Sequence, residues 1–92
     1  MQNSGLGNAL NPILSIAHQR VYGIPMLLVV GWRGKPGLKD EPQHVAQGMI
    51  TKDLLSISGI QYWVLSTNNS NEWYNLINSA VQCVLTGQIC AL

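Results

Sequence analysis

The chain has 92 residues, of which 47% are hydrophobic and only 10% are charged, and its formal net charge is +1. Soluble domains carry about 25% charged residues, and small domains have the most surface to cover. Much of the apolar surface is therefore expected to lie against a protein partner. No cluster of Lys and Arg lies among aromatic residues, which argues against nucleic acid. The longest apolar run, residues 25–30, is too short to cross a membrane.

The first twelve residues have the pattern of a turn that follows a strand in an α/β domain. Polar and glycine residues over 2–5 lead into apolar residues at helical spacing, which predicts a helix over residues 5–18. Pro12 either kinks this helix or restarts it with Asn11 as the cap. Because the strand before such a turn is missing, we expect the chain to be part of a larger domain.

The middle of the chain predicts a strand, a short helix and a second strand. Residues 24–31 form a continuous apolar run, which is typical of a parallel strand covered on both faces. A charged loop over residues 32–43 follows, and Thr51 is predicted to cap a short helix that Gly59 ends. Residues 60–66 are predicted to form the second, shorter strand.

The last third of the chain predicts a long helix and the start of another strand. Asn69 and Glu72 have the spacing of a capping box, and an amphipathic pattern then continues up to Gly87. Residues 89–92 have the pattern of a strand that is cut short. This order predicts an α/β fold, an incomplete three-layer domain with a parallel sheet that is truncated at both ends and occupies residues 1–92.

The two cysteines, Cys83 and Cys90, do not have a spacing that suits zinc. Met1 is followed by polar residues rather than by a basic and then apolar leader, so the chain is expected in the cytoplasm. In that reducing compartment two buried thiols are favoured, and a disulfide is the alternative.

Several motifs together resemble phosphonopyruvate decarboxylases and, slightly less closely, sulfopyruvate decarboxylases. The motifs are Gln2-Asn3-Ser4-Gly5-Leu6-Gly7-Asn8, Asn11-Pro12, Ile24-Pro25-Met26-Leu27-Leu28, Gly31-Trp32-Arg33-Gly34 and Asp40-Glu41-Pro42-Gln43-His44. The resemblance is close over residues 1–60 and is one of pattern only in the remainder. Such enzymes use thiamine diphosphate, and the resemblance implies that the chain is the second part of their pyrimidine-binding domain.

The resemblance also implies roles for individual residues. In such enzymes the turn that matches residues 2–5 lies beside the cofactor, and the implied cofactor-binding residues are Gln2, Asn3, Ser4, Gly5 and Asn8. Arg33 is the candidate for binding the second anion of the substrate, since its planar guanidinium suits a phosphonate or a sulfonate. In related 2-oxo acid decarboxylases the matching loop often carries a pair of histidines. Gln43 replaces the first histidine of that pair and is a candidate substrate-binding residue. His44 is the candidate catalytic residue.

Some parts of the family's active site are absent from this sequence. The activating glutamate of such enzymes precedes the matched segment, and Glu41 and Glu72 are not placed to replace it. The diphosphate and Mg²⁺ are held by a different domain, which this chain does not resemble. The isolated chain is therefore predicted to be inactive, and to need further copies or a complementary diphosphate-binding subunit as its partner.

Two functions remain open at this point. The chain is either part of a decarboxylase acting on a 2-oxo acid with a second anionic group, phosphonopyruvate or sulfopyruvate, or a non-catalytic remnant that docks onto a partner protein. A third interpretation, an independent nucleotide-binding domain, is supported only by the glycines of the first turn. Without the resemblance, Gly5 and Gly7 indicate only a tight turn, and His44 and Arg33 are solvated loop residues.

Overall fold

In the computed structural model, which describes residues 1–66 and 68–92, three short parallel strands are flanked by helices. The strands are β1 (Met26–Leu28), β2 (Gln61–Tyr62) and β3 (Ile89–Ala91), in the sheet order β1-β3-β2. The α-helices are α1 (Leu6–Pro12), α2 (Pro42–Ile57) and α3 (Trp73–Leu85). The predicted α/β fold with a parallel sheet is confirmed.

The helices lie on both faces of the sheet. The chain crosses from β1 to β2 and then returns to β3, so right-handed connections place α2 and α3 on opposite faces. Side chains alternate between the faces, as in any strand. Leu28 and its pairing partner Ala91 point towards α1 and α2, whereas Leu27 and its partner Cys90 point towards α3. We call the side of the sheet that carries α3 the α3 face.

The hydrophobic core lies between the sheet, α1 and α2. Its buried side chains are Leu6, Ile13, Leu28, Leu55, Ile60 and Ala91. Leu6 is completely buried, and it stands at the first position of α1, directly after the polar turn. The core therefore fixes where this turn lies relative to the strands.

Residues 1–3 run parallel to residues 29–31, beside the end of β1. The terminal ammonium group donates to the carbonyl of Val29 (2.6 Å), and the N–H of Gly31 donates to the carbonyl of Met1 (2.8 Å). Gln2 and Gly31 form a parallel bridge. The predicted turn into the first helix is confirmed, and it lies at the carboxyl edge of the sheet; the pairing of residues 1–3 beside β1 was not predicted.

The first helix runs through Pro12 and changes its winding there. A 3₁₀ turn, Asn3–Gly5, leads into α1, and a π-helical turn, Ile13–Ala17, follows it. Proline has no N–H and its ring obstructs the carbonyl of the preceding turn, so a wider turn is accommodated at this point. The helix predicted over residues 5–18 is confirmed, but the alternative of a restart with Asn11 as its cap is wrong.

Helix α2 begins well before the predicted start at Thr51. Pro42 occupies a first-turn position, where its missing N–H costs no hydrogen bond and its ring presets the helical φ. Thr51 is therefore not a cap but a buried residue inside the helix, and its hydroxyl donates to the carbonyl of Gln47 (2.7 Å). The loop predicted over residues 32–43 is consequently shorter. Gly59, with φ of +72°, follows the helix end as predicted.

The strands are shorter and less covered than predicted. Only Met26–Leu28 of the apolar run is a strand, and the predicted second strand contributes only Gln61–Tyr62. Leu28 is 7% exposed but Val29 is 63% exposed. The prediction that this run is covered on both faces is wrong, because α3 leaves the end of β1 open on its face.

Helix α3 follows a 3₁₀ turn, Ser70–Glu72, and ends before Gly87. The predicted capping box is wrong, since no side chain makes a cap hydrogen bond at Asn69. The helix itself is confirmed, and so is the strand after it, which is the central strand β3. Among the described residues, no helix is long and apolar enough to cross a bilayer.

A disulfide joins Cys83 in α3 to Cys90 in β3, with the two Cα atoms 6.7 Å apart. The preference for two free thiols is therefore wrong. The turn at Gly87, which has φ of +93°, folds the last turn of α3 back onto β3 and brings the two sulfur atoms together.

Candidate functional site

Two of the sequence motifs, residues 2–8 and 31–34, meet the middle of α2 around the buried side chain of Asn3. Its Nδ2 donates to the carbonyl of Arg33 (2.8 Å) and to Oγ1 of Thr51 (2.9 Å), while its Oδ1 accepts from the N–H of Arg33 (3.2 Å). Asn3 and Thr51 are only 5% and 4% exposed. One amide thus joins the first turn, the loop after β1 and the middle of α2.

The backbones of the GWRG turn, residues 31–34, and of α2 are in direct contact. A Cβ atom at Gly48 would overlap the backbone of Gly34, and a Cβ atom at Gly34 would overlap the backbone of His44. Gly34 also has φ of +73°, which disfavours other residues. The two glycines therefore let the turn dock on the helix. We call Asn3, Arg33, Thr51 and this pair of glycines the Asn3 junction.

The side chain of Arg33 points away from the junction and pairs with Asp40. Its Nε lies 3.3 Å from Oδ2 of Asp40, and the two side chains are 45% and 19% exposed. The backbone N–H of Glu41, which donates to Oδ1 (2.8 Å), and the guanidinium of Arg33 lower the pKa of Asp40. Asp40 is thus ionised at neutral pH, and a substrate anion at Arg33 would compete with it.

The predicted pair Gln43 and His44 lies in the first turn of α2 rather than in a loop. Gln43 is exposed, and His44 is half-buried. Nδ1 of His44 is buried and has no hydrogen-bond partner within the described part of the chain. An unpaired buried nitrogen costs free energy.

The other candidates surround the start of α1. The hydroxyl of Ser4 donates to Oε1 of Gln2 (2.7 Å), and both side chains are exposed. Asn8 is exposed on α1, and a Cβ atom at Gly5 would meet nothing within 4 Å. The structure therefore presents Gln2, Ser4 and Asn8 outwards at the turn and directs the side chain of Asn3 inwards.

Sequence reasoning missed the residues that surround Trp32. The indole Nε1 of Trp32 donates to the carbonyl of Gly48 (2.9 Å). The ammonium groups of Lys35 and Lys52 lie 5.5 and 5.4 Å from the centroid of the Trp32 ring. Pro42 was the available signal, since a helix beginning there places residues 48–52 opposite the GWRG turn.

The relatives of this chain are decarboxylases. It is 46% identical over 71 residues to phosphonopyruvate decarboxylase of Streptomyces viridochromogenes, a match that covers 77% of this chain and 17% of that protein. It is 45% identical over 64 residues to phosphonopyruvate decarboxylase of Streptomyces hygroscopicus, covering 70% of this chain and 16% of that protein. It is 41% identical over 80 residues to sulfopyruvate decarboxylase subunit alpha of Methanococcus maripaludis, covering 87% of this chain and 45% of that subunit.

The chain is a homologue of part of these decarboxylases. The resemblance inferred from the motifs is thereby confirmed. The chain spans 17% of the length of the first of these relatives and 45% of the alpha subunit. No protein-family model matches the chain.

Proposed function

We propose that this chain is the second part of the pyrimidine-binding domain of a thiamine diphosphate-dependent decarboxylase, which converts phosphonopyruvate or sulfopyruvate to an aldehyde and CO₂. The observation that carries the proposal is the Asn3 junction. Arg33 and Thr51 lie 30 and 48 residues from Asn3 in sequence, yet the amide of Asn3 bonds to the backbone of Arg33 and to the hydroxyl of Thr51. Two of the motifs that resemble decarboxylases, residues 2–8 and 31–34, thus meet at the carboxyl edge of the sheet, where α/β proteins bind ligands.

The turn is proposed to bind the pyrimidine ring of thiamine diphosphate. Gln2 and Ser4 present an amide and a hydroxyl, which can donate to and accept from ring nitrogens and an amino group. When bound, the cofactor supplies the electron sink for decarboxylation. The role proposed for Gln2, Ser4, Gly5 and Asn8 is to position its ring, while Asn3 holds the turn from behind.

The diphosphate and Mg²⁺ are proposed to bind to another domain or subunit. Within the described residues, no three His, Cys, Asp or Glu side chains are grouped so that they could hold a metal ion. The name of the M. maripaludis relative describes it as an alpha subunit, which supports a complementary subunit as the partner of this chain; further copies of the chain are the second candidate.

The substrate is proposed to contact the loop that carries Arg33 and the first turn of α2. Arg33 would bind the second anion of the 2-oxo acid, in competition with Asp40, and Gln43 would hydrogen-bond to the same substrate. His44 is proposed to exchange a proton with the substrate, because it follows Gln43 in the first turn of α2 and its backbone contacts the turn that carries Arg33.

The alternative function, a non-catalytic remnant that docks onto a partner, is favoured by the exposed apolar side chains. Ile57, Leu85 and Val29 are 86%, 72% and 63% exposed. Single exposed apolar residues are common, but an assembly of any kind would cover such residues. Exposure alone therefore does not separate this function from the decarboxylase.

A chimaera separates the two functions. The matching part of this chain replaces the homologous segment of the S. viridochromogenes phosphonopyruvate decarboxylase, and CO₂ release from phosphonopyruvate is measured with thiamine diphosphate and Mg²⁺. We expect the chimaera to turn over substrate, and the isolated chain to release CO₂ no faster than buffer. A chimaera that folds and assembles like its parent but is inactive would favour the remnant. Turnover by the isolated chain would overturn our view of which catalytic groups it lacks.

The role of Arg33 is tested in the same chimaera. Arg33→Leu should raise the KM for phosphonopyruvate roughly tenfold more than the KM for pyruvate, because a hydrogen bond to a charged group contributes about 1.5–3 kcal/mol and Arg33 is partly exposed. Asp40→Asn is the matched control, since it removes the competing carboxylate and should not raise the KM for phosphonopyruvate. Equal losses for both substrates would mean that Arg33 only holds the loop.

A further inference from the structure

A large open cavity lies along the carboxyl edge of the sheet. It has a volume of about 720 Å³ and extends from α2 to α3, past the ends of all three strands. Most of its lining is apolar, and includes Val29, Val30, Leu55, Trp63, Leu65 and Leu92. Sites for small organic molecules usually measure about 300–1,000 Å³ and are lined in this way.

The charges in this cavity are all of one sign. Lys35 and Lys52 line it, and no Asp or Glu does so among the described residues. Neither lysine forms an ion pair within the described part of the chain, whereas Arg33 is paired with Asp40. The cavity therefore combines an apolar body with two cations whose charge is not neutralised by a carboxylate.

Trp32 holds the two cations at one end of the cavity. Its indole is fixed by the hydrogen bond to the carbonyl of Gly48 (2.9 Å), and both ammonium groups lie within 5.5 Å of the centroid of its ring. Attraction to the ring face favours these positions. One ring thus contacts both Lys35 from the loop and Lys52 from α2.

We propose that this cavity binds a small organic anion with an apolar body, whose charged group lies at Lys35 and Lys52. The apolar wall would take the body of the ligand, and the two ammonium groups would bind a carboxylate or a sulfonate. The small, doubly anionic 2-oxo acids proposed as substrates have too little apolar surface to fill such a cavity. The site is therefore distinct from the one proposed at Arg33, and its test does not depend on decarboxylase activity.

The test compares two probes that share a chain but differ in charge, octane-1-sulfonate and 1-octanol. Each is titrated into the ¹⁵N-labelled 92-residue chain, and the indole N–H resonance of Trp32, assigned with Trp32→Phe, is followed. We expect saturable binding of the sulfonate, about tenfold tighter than that of the alcohol. Lys35→Gln and Lys52→Gln should each weaken sulfonate binding by up to about fivefold and leave the alcohol unchanged.

Lys39→Gln is the matched control, because Lys39 is an exposed lysine of the same loop that does not line the cavity. It should leave both affinities unchanged. If the lysine variants do not fold, added NaCl on the unaltered chain serves instead, since salt should weaken the sulfonate and not the alcohol. Equal affinity for both probes, or an equal loss in Lys39→Gln, would overturn the proposal. So would a Trp32 resonance that responds only to protein concentration, because the occupant would then be a second copy of the chain.

Discussion

The Asn3 junction and the α3 face are held together in different ways. At the junction, one buried amide makes three hydrogen bonds, and two backbones touch at Gly34 and Gly48. On the α3 face, Val29 and Leu85 stay largely exposed, and a disulfide ties the helix to the strand. Directional hydrogen bonds specify one geometry at the junction, whereas the α3 face presents surface that a neighbour could cover.

The largest effect is expected where the two backbones touch. Gly48→Ala should destabilise the fold by at least about 3 kcal/mol, because the added Cβ would overlap the backbone of Gly34, which has no flexible side chain to move. This exceeds the gain of about 1 kcal/mol in helix propensity. Urea unfolding followed by circular dichroism measures it. Gly7→Ala is the control: nothing lies within 4 Å of its Cβ, so a gain of about 0.5–1 kcal/mol is expected. Equal stabilities of the two variants would contradict the contact.

Removing the amide at the centre of the junction should have the next largest effect. Asn3→Ala removes three hydrogen bonds in a buried site, which predicts a loss of about 2–3 kcal/mol in the free energy of unfolding. Ser4→Ala, next to it but exposed, should change stability by less than about 0.5 kcal/mol. If both variants unfold at the same urea concentration, the junction does not organise this part of the fold.

On the α3 face, the next prediction concerns the disulfide that joins α3 to β3. Reduction of Cys83 and Cys90 should lower the free energy of unfolding by about 2 kcal/mol. The effect is modest because a crosslink that closes a short loop removes little conformational entropy from the unfolded chain. Cys83→Ser should match the reduced protein and be insensitive to reductant. A thiol count in denaturant before reduction checks the bond directly, and two free thiols in that assay would show that it is absent.

The smallest effect on folding is expected from the exposed apolar side chains. Ile57→Lys and Leu85→Lys should change stability by less than about 0.5 kcal/mol, because both residues are largely exposed. They should nevertheless weaken self-association, which light scattering after size exclusion measures at micromolar concentration. Gln82→Lys adds the same charge to α3 at an exposed polar position and should leave association unchanged. If the wild-type chain elutes only at the monomer mass, the exposed apolar side chains are not covered by a second copy of the chain.

The sequence predicted the elements better than it predicted their ends. Apolar patterns located the first and last helices and the three strands, and Gly59 and Gly87 marked two helix ends, because both signals are local. The prediction of Thr51 as a cap is wrong because its side chain also suits a buried position inside a helix, and Pro42, at the end of the predicted loop, is the stronger start signal. For the candidate site, the motifs identified Asn3 and Arg33 but not their mutual hydrogen bonds.

By itself, the sequence determined the order of the elements, the parallel α/β class and the relationship to decarboxylases, since composition, periodicity and motif spacing act over short stretches of chain. Only the tertiary structure decided that Asn3 meets Thr51, that Gly34 must approach Gly48, and that Trp32 gathers two lysines at an apolar cavity. These contacts join residues far apart in sequence. Their existence depends on how helices pack on a sheet, which no local pattern of residues encodes.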